Sequence, residues 1–493
     1  MTSFETLSNK LGDGQSHVLT YWDQLNDEEK HSLASQIDGI NVGLYEQAFK
    51  EVQMLKPQSF EQISPISEDR HIVKSELDPK IKDEHWDLGL KAISRGEVGA
   101  IVMAGGQATR LGADQPKGTI NLGLGLSSTD SLLWIQAARI ARLLKLAKEA
   151  YPDSSPSIQW LVMTSNSTME ETRNHLVKVV QDVGISMDDV TIFSQAEIPC
   201  FDLNGKFLLS SRSSLATAPD GNGGLYAAIR PLLPKLKSRG VKHFHIVCVD
   251  NILCRIADPH LIGCAIDMNA DCAATTVEKT NPFESVGVVC LESGHVRVLE
   301  YSEIPKELAE KRDPNGKLSF RAGSVAMHYF TMDFLEKVSD ESVRLPFHVA
   351  KKKIPYFDLS TSTVVQPKEP NGIKLEQFVF DVFPHAKQVS LNIRFLVWEV
   401  LRHEEFSPLK NAEHVGRDCI STIRRDFASE CRRWLARAGV ELSGDKYGNP
   451  VYISPLVSYA GEDLSKGQIS PSNGVIKMTN GLLVENGTVA QTS

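Results

Sequence analysis

Two adjacent glycines and two spaced cations are the first residues in this chain whose types and spacing suggest chemistry. Residues 101–118 read Ile-Val-Met-Ala-Gly-Gly-Gln-Ala-Thr-Arg-Leu-Gly-Ala-Asp-Gln-Pro-Lys-Gly. A small apolar run from Val98 leads into Gly105 and Gly106, the pattern of a central strand in a parallel sheet. Lacking Cβ atoms, the two glycines let the backbone turn sharply and come close to a ligand. Arg110 and Lys117 follow within reach of anything held there. Two fixed cations beside exposed backbone N–H groups suit a polyphosphate. The stretch is neither a Gly-x-Gly-x-x-Gly dinucleotide fingerprint nor a loop closed by Gly-Lys-Ser/Thr.

Four further stretches offer ligand-facing groups. Ala218-Pro219-Asp220-Gly221-Asn222-Gly223-Gly224 reads either as a plain loop before a helix or as backbone laid against a flat base. Asp250 follows an apolar strand run directly, at the carboxyl end that faces the ligand crevice in open α/β sheets. It either caps the next turn or holds a hard cation such as Mg2+, which keeps several waters and takes one or two carboxylates. Gly287 permits close approach, and Glu300, followed by Tyr301, reads by itself as an ordinary hairpin acid, though a carboxylate can also accept hydrogen bonds from hydroxyl groups. Within residues 369–381, Lys374 is a mobile point charge suited to a phosphate. Phe378 and Phe380 alternate on an expected strand and so share a side, as core packing or as a binding wall.

The full pattern of strand, Gly-Gly-x-x-x-Arg-Leu-Gly and Pro-Lys-Gly resembles the signature of sugar-nucleotide pyrophosphorylases. In detail it is similar to the eukaryotic UDP-N-acetylglucosamine pyrophosphorylases. The resemblance runs from about residue 98 to about residue 464 and closes on Ile453-Ser454-Pro455-Leu456-Val457-Ser458-Tyr459-Ala460-Gly461-Glu462. It implies that UTP and N-acetylglucosamine 1-phosphate give UDP-N-acetylglucosamine and pyrophosphate, with Mg2+ as cofactor. It further implies nucleotide contacts from Met103, Ala104, Gly105 and Gly106, with Gln195 and Gly221 on the uracil. Arg110, Lys117 and Lys374 are implied as the catalytic cations and Asp250 as the metal ligand. The implied sugar contacts are Asn222, Gly287, Glu300, Tyr301 and Ser324, with Phe378 and Phe380 walling the N-acetyl group. Lys410, in Ser407-Pro408-Leu409-Lys410-Asn411-Ala412, is implied as a phosphate contact from the C-terminal domain. The sequence departs from the family twice. Serine stands at position 324 where the family has asparagine, and residues 388–395 run a few positions longer. The choice between gluco and galacto sugars stays open. A non-catalytic nucleotide-sugar sensor is the rival reading, against which stand the retained Arg110, Lys117, Asp250 and Lys374.

The elements that must position these groups follow from periodicity. Apolar residues recur at helical spacing across residues 5–55, 81–95, 131–150, 169–180, 225–236 and 418–437. Strands are expected at 158–164, 190–193 and 244–249, with a hairpin turning at Ser293-Gly294 and a strand-rich stretch at 451–459. Alternating strands and helices imply α/β architecture, a Rossmann-like core with a doubly wound, mostly parallel sheet. The chain has 493 residues, too many for one ordinary core. Three segments are expected: a helical N-terminal domain over 1–96, a catalytic domain over 97–396, and a small α+β C-terminal domain with a loose tail over 397–493. A net charge of −9 argues against a nucleic-acid partner and makes any phosphate site a local basic focus. Eight scattered cysteines form no Cys-x-x-Cys pair. With a polar N-terminus and no bilayer-length apolar run, a cytoplasmic monomer or weak homodimer with no membrane partner is expected.

Overall fold

The computed structural model describes residues 3–54, 60, 62–389, 392–439, 450–464, 477–478, 484–485 and 488–489. The chain divides into two compact units built from interleaved segments. The larger comprises Gln62–Ser194, Ile229–Asp340 and Val382–Ser493, and the smaller Met1–Glu61, Gln195–Ala228 and Glu341–Asp381.

Runs rich in apolar residues make the strands of the larger unit, of which Val98–Met103, Ile158–Thr164 and Phe395–Val400 are buried at every position. The strands include β1 His71–Val73, β2 Val98–Met103, β3 Ile158–Thr164, β4 Val190–Ser194, β5 His243–Cys248, β6 Cys272–Glu278, β7 Val288–Glu292, β8 His295–Leu299, β9 Ala322–Thr331 and β10 Phe395–Val400. The sheet order is β1-β10-β6-β9-β5-β2-β3-β4. Neighbours are parallel except at β9, which runs antiparallel to both β5 and β6. β7 and β8 form the expected hairpin, with Ser293 and Gly294 at φ 52° and 80°, the conformation a tight two-residue turn requires.

The helices of this unit include α1 Pro79–Ser94, α2 Leu132–Ala150, α3 Met169–Val183, α4 Pro259–Asp267 and α5 Ile420–Arg437. Ser131 starts α2 by accepting the Trp134 N–H at 3.1 Å, satisfying one of the donors a helix start leaves open. Trp134, Trp160 and Trp398 are among the largest fully buried side chains. Among the described residues no helix is long and apolar enough to cross a membrane.

The smaller unit packs helices Phe4–Gln15, Asp27–Asp38 and Val42–Gln53 around an antiparallel sheet in which Gly372–Glu376 lies between His348–Lys352 and Phe201–Asp202. Leu7, Leu33 and Ile37 share one core with Phe201, Phe207, Ile373 and Leu375. The N-terminal helices therefore share a core with the segments that carry Gly221 and Lys374.

Several local expectations change. Leu19 and Trp22 lie in 3-10 turns between helices, not on one continuous helix. The helix expected over 225–236 breaks into Leu225–Ile229, a 3-10 turn Arg230–Leu232, and Leu233–Ser238. Pro231 and Pro234 remove the donors a continuous helix would need. Residues 395–400 are a buried sheet strand, β10, and residues 451–459 hold only the short strand Tyr452–Ile453. The extra residues near 388–395 form a small hairpin of Gln388–Val389 with Asn392–Ile393. Most of the expected loose tail lies outside the described residues.

Candidate active site

In the larger unit the groups expected to meet phosphate sit at the carboxyl ends of two adjacent parallel strands. β2 pairs with β5 in register, Met103 opposite Cys248. The loop after β2 closes on itself, since Lys117 N–H donates to Gly106 O at 3.1 Å and Ala108 N–H to Gln115 O at 3.0 Å. Lys117 is thereby returned to the glycines, and its Nζ lies 3.5 Å from Asp250 Oδ2. Met103 and Ala104 are buried, Gly105 is half-buried, and Gly106 is exposed with nothing where a Cβ would stand. The expectation of a sharp turn at the paired glycines is corrected: neither has positive φ, and the left-handed residue of this loop is Gly112, at φ 79°. The open space at Gly106 is room for a ligand rather than relief of backbone strain. Gly118 is different, because a Cβ there would lie 2.9 Å from both Leu133 and Val249.

Asp250 is tied by its carbonyl to a distant segment, accepting Leu409 N–H at 2.8 Å. The next residue, Lys410, lines a cavity of about 1100 Å3 together with Arg110, Phe283, Ser285, Tyr301 and Arg417. The structure thus brings Arg110, Tyr301 and Lys410 to one cavity. Burial pushes the nearby Cys248 thiol up to about 12 despite the charges of Lys410 and Lys117. Gly287, Glu300 and Ser324 also converge: Ser324 N–H donates to Gly287 O at 2.8 Å. A Cβ on Gly287 would stand 3.0 Å from a Glu300 carboxylate oxygen. The Ser324 hydroxyl is buried without a hydrogen-bond partner among the described residues, a costly arrangement unless a ligand completes it.

In the smaller unit, the glycine-rich loop lies against residues 377–380. Gln377 N–H donates to Asp220 O, and Gly223 N–H to Gln377 O, both at 2.8 Å. Gly221 has φ 89°, and a Cβ there would lie 2.4 Å from Gln377 O, so both conformation and space demand glycine. Asn222 Oδ1 accepts Val379 N–H at 2.9 Å, which fixes its side chain. Gln195 is buried in the same unit. Burial raises the Asp220 carboxyl to about 7, and its Oδ1 has no partner among the described residues.

The placement of the two phenylalanines is also corrected. The strand ends at Glu376, and residues 379–380 turn. Asp381 stops the strand by accepting Phe378 N–H at 2.8 Å, as a short acid does at turns. The rings still meet, at 5.1 Å between centroids. His348 stacks on Phe378 at 4.3 Å and pairs with Asp381 at 3.1 Å. Lys374 is half-buried on its strand, opposite Ala350. Sequence reading missed His348, Asp381 and Arg417. Only Asp381 left a local signal, as a turn acid three residues after Phe378.

One carboxylate at the strand end fits Mg2+, which completes its shell with water and phosphate oxygens. Among the described residues no three His, Cys, Asp or Glu side chains cluster as a self-sufficient metal cage.

A parallel sheet with a glycine-led loop, a lysine and an aspartate at adjacent strand ends defines a nucleotide-binding α/β protein. The family model described as UTP--glucose-1-phosphate uridylyltransferase matches residues 42–434. A Caenorhabditis elegans protein named "Probable UDP-N-acetylglucosamine pyrophosphorylase" is 49% identical, covering 92% of this chain and 92% of its own. UDP-N-acetylglucosamine pyrophosphorylase of Saccharomyces cerevisiae is 39% identical, covering 94% and 97%. The crystal structure of the uridine diphosphate N-acetylglucosamine pyrophosphorylase from Trypanosoma brucei, in complex with inhibitor, matches with TM-score 0.81 at 29% identity, covering 95% of each chain. The chain belongs to the UTP--glucose-1-phosphate uridylyltransferase family, among the eukaryotic UDP-N-acetylglucosamine pyrophosphorylases.

Proposed function

We propose that this chain is a uridylyltransferase that joins UTP and N-acetylglucosamine 1-phosphate into UDP-N-acetylglucosamine, releasing pyrophosphate. The observation that carries the reading is Lys117 held 3.5 Å from Asp250 at the ends of adjacent strands, beside a glycine-led loop with open space for phosphates. An oxygen of the sugar phosphate, already an anion, attacks the α-phosphorus in line. The bond from that phosphorus to the bridging oxygen breaks, and pyrophosphate departs with the electron pair. No strong general base is required. The work of the protein is alignment and charge stabilisation.

Met103, Ala104, Gly105 and Gly106 bring main chain to the nucleotide, and Gln195 and Gly221 take the uracil. Arg110 and Lys117 hold the triphosphate and stabilise the departing group, while Lys374 aligns the attacking phosphate and Lys410 adds a phosphate contact. Asp250 is the residue that would hold Mg2+, whose charge offsets the repulsion between two polyanions when bound. Asn222, Gly287, Glu300, Tyr301 and Ser324 take sugar hydroxyls. The facing rings of Phe378 and Phe380 suit an N-acetyl group better than a bare hydroxyl.

The test is pyrophosphate release with UTP, Mg2+ and N-acetylglucosamine, N-acetylgalactosamine, glucose or galactose 1-phosphate. Release with the acetamido sugars alone is expected. Comparable release with glucose 1-phosphate would refute the aromatic wall. No release with any sugar, while UTP or a UDP-sugar still binds, would refute the transferase in favour of a sensor.

A further inference from the structure

The cavity of the larger unit carries more unbalanced positive charge than the glycine-led loop supplies. Two of its lining arginines are neutralised, Arg402 by Glu284 and Arg433 by Glu430. Three other cations on the same wall are not. Among the described residues, Arg110, Lys410 and Arg417 have no carboxylate within ion-pair distance, and Lys410 lies over the Phe406 ring at 5.9 Å. Arg417 is held in register with the phosphate machinery. Asp250 O accepts Leu409 N–H at 2.8 Å. Lys410 N–H and Asn411 N–H both donate to Asp418 O, at 2.7 and 2.9 Å. The Asn411 side chain donates to Arg417 O at 3.1 Å. This clip holds the main chain of Lys410 and Arg417 together beside Asp250. The cavity is also lined by the carboxylates of Asp418 and Asp426, of which Asp426 is paired with Arg425; in a chain of net charge −9 the three cations still leave a local excess of positive charge suited to a polyanion.

We infer that Arg417 is a pyrophosphate-binding residue: with Arg110 and Lys410 it grips the β- and γ-phosphates of UTP and the pyrophosphate they become. A guanidinium suits this task, since its planar fork binds two phosphate oxygens at once. The inference rests on the uridylyltransferase reading and can fail separately from it. Arg417→Ala is expected to raise KM for pyrophosphate in the reverse reaction by roughly ten- to a hundredfold, the size of a lost charge-assisted contact. KM for UDP-N-acetylglucosamine should stay nearly unchanged, and Arg417→Lys should recover part of the loss. Calorimetric titration of the protein with inorganic pyrophosphate should weaken by a similar factor. Lys145→Ala removes an equal charge from an exposed lysine paired with Glu149 on α2 and should change nothing.

Unchanged pyrophosphate affinity in Arg417→Ala, or an equal loss in Lys145→Ala, would overturn the assignment. So would an equal rise in KM for the UDP-sugar. If wild type shows no reverse reaction with any UDP-sugar, the transferase reading fails, and the calorimetric comparison still decides Arg417.

Discussion

At the scale of single residues, the most consequential pair is Lys117 and Asp250. They lie 133 positions apart in the chain and within 3.5 Å in space. Lys117→Ala or Arg110→Ala is expected to lower turnover roughly a hundredfold or more, the loss seen when one preorganised electrostatic donor is removed. Circular dichroism should show the fold intact, and near wild-type turnover would exclude these residues from the site. Asp220 makes a second prediction. Burial holds its carboxyl at about 7 against an ordinary 3.8, so between these values the folded chain keeps a proton that the unfolded chain releases. The stability this group contributes is full below the ordinary value and is lost as pH rises through about 7. The melting temperature of Asp220→Asn relative to wild type should therefore climb between about pH 4 and about pH 7. A difference flat with pH would mean that the carboxyl is ionised throughout.

At the scale of elements, α1 crosses α4 on two glycines. A Cβ at Gly89 would stand 2.2 Å from Pro259 O, and one at Gly263 would stand 1.8 Å from His85 O. Either Gly→Ala change must push the helices apart, at a cost of about 1–3 kcal/mol or more. A lower melting temperature with the secondary structure retained is the expected result, and an unchanged one would refute the close crossing. Much at this scale was legible in the sequence. The strand at Ile158–Thr164 lies at its expected bounds, and helix Leu132–Ala150 starts one residue inside them. Both are long and strongly apolar, and Ser131 caps the start of the helix. The helix expected over 225–236 was not legible, because its apolar pattern continues across prolines that break it. The strand expected at Phe378 and Phe380 failed because alternation of side chains is also compatible with a turn, and Asp381 supplies the hydrogen bond that favours the turn.

At the scale of the whole molecule, all eight cysteines are free thiols, seven buried and Cys248 partly exposed. A thiol reagent should label the native protein slowly, Cys248 included because burial holds its thiol at about 12, and should label all eight after denaturation. A reductant should leave the melting temperature unchanged. Rapid labelling of several thiols in the native state would refute this packing. Neither unit is a continuous stretch of chain, since the smaller one gathers three segments.

What the sequence determined by itself was whatever depends on neighbours along the chain. Its strands and helices follow from periodicity and caps, and the glycine-led loop with its two cations is spelled out within 18 residues. The family belongs here too, because its motif is local. Tertiary structure alone decided what depends on neighbours in space. The parallel pairing of β2 with β5 set Lys117 against Asp250, and the hydrogen bond between Asn222 and Val379 spans 157 positions. Stacking of His348 on Phe378, and the clip that carries Arg417 to the cavity, arise in the same way. Such contacts leave no periodic trace, because each side chain is chosen for a partner that the sheet topology brings to it.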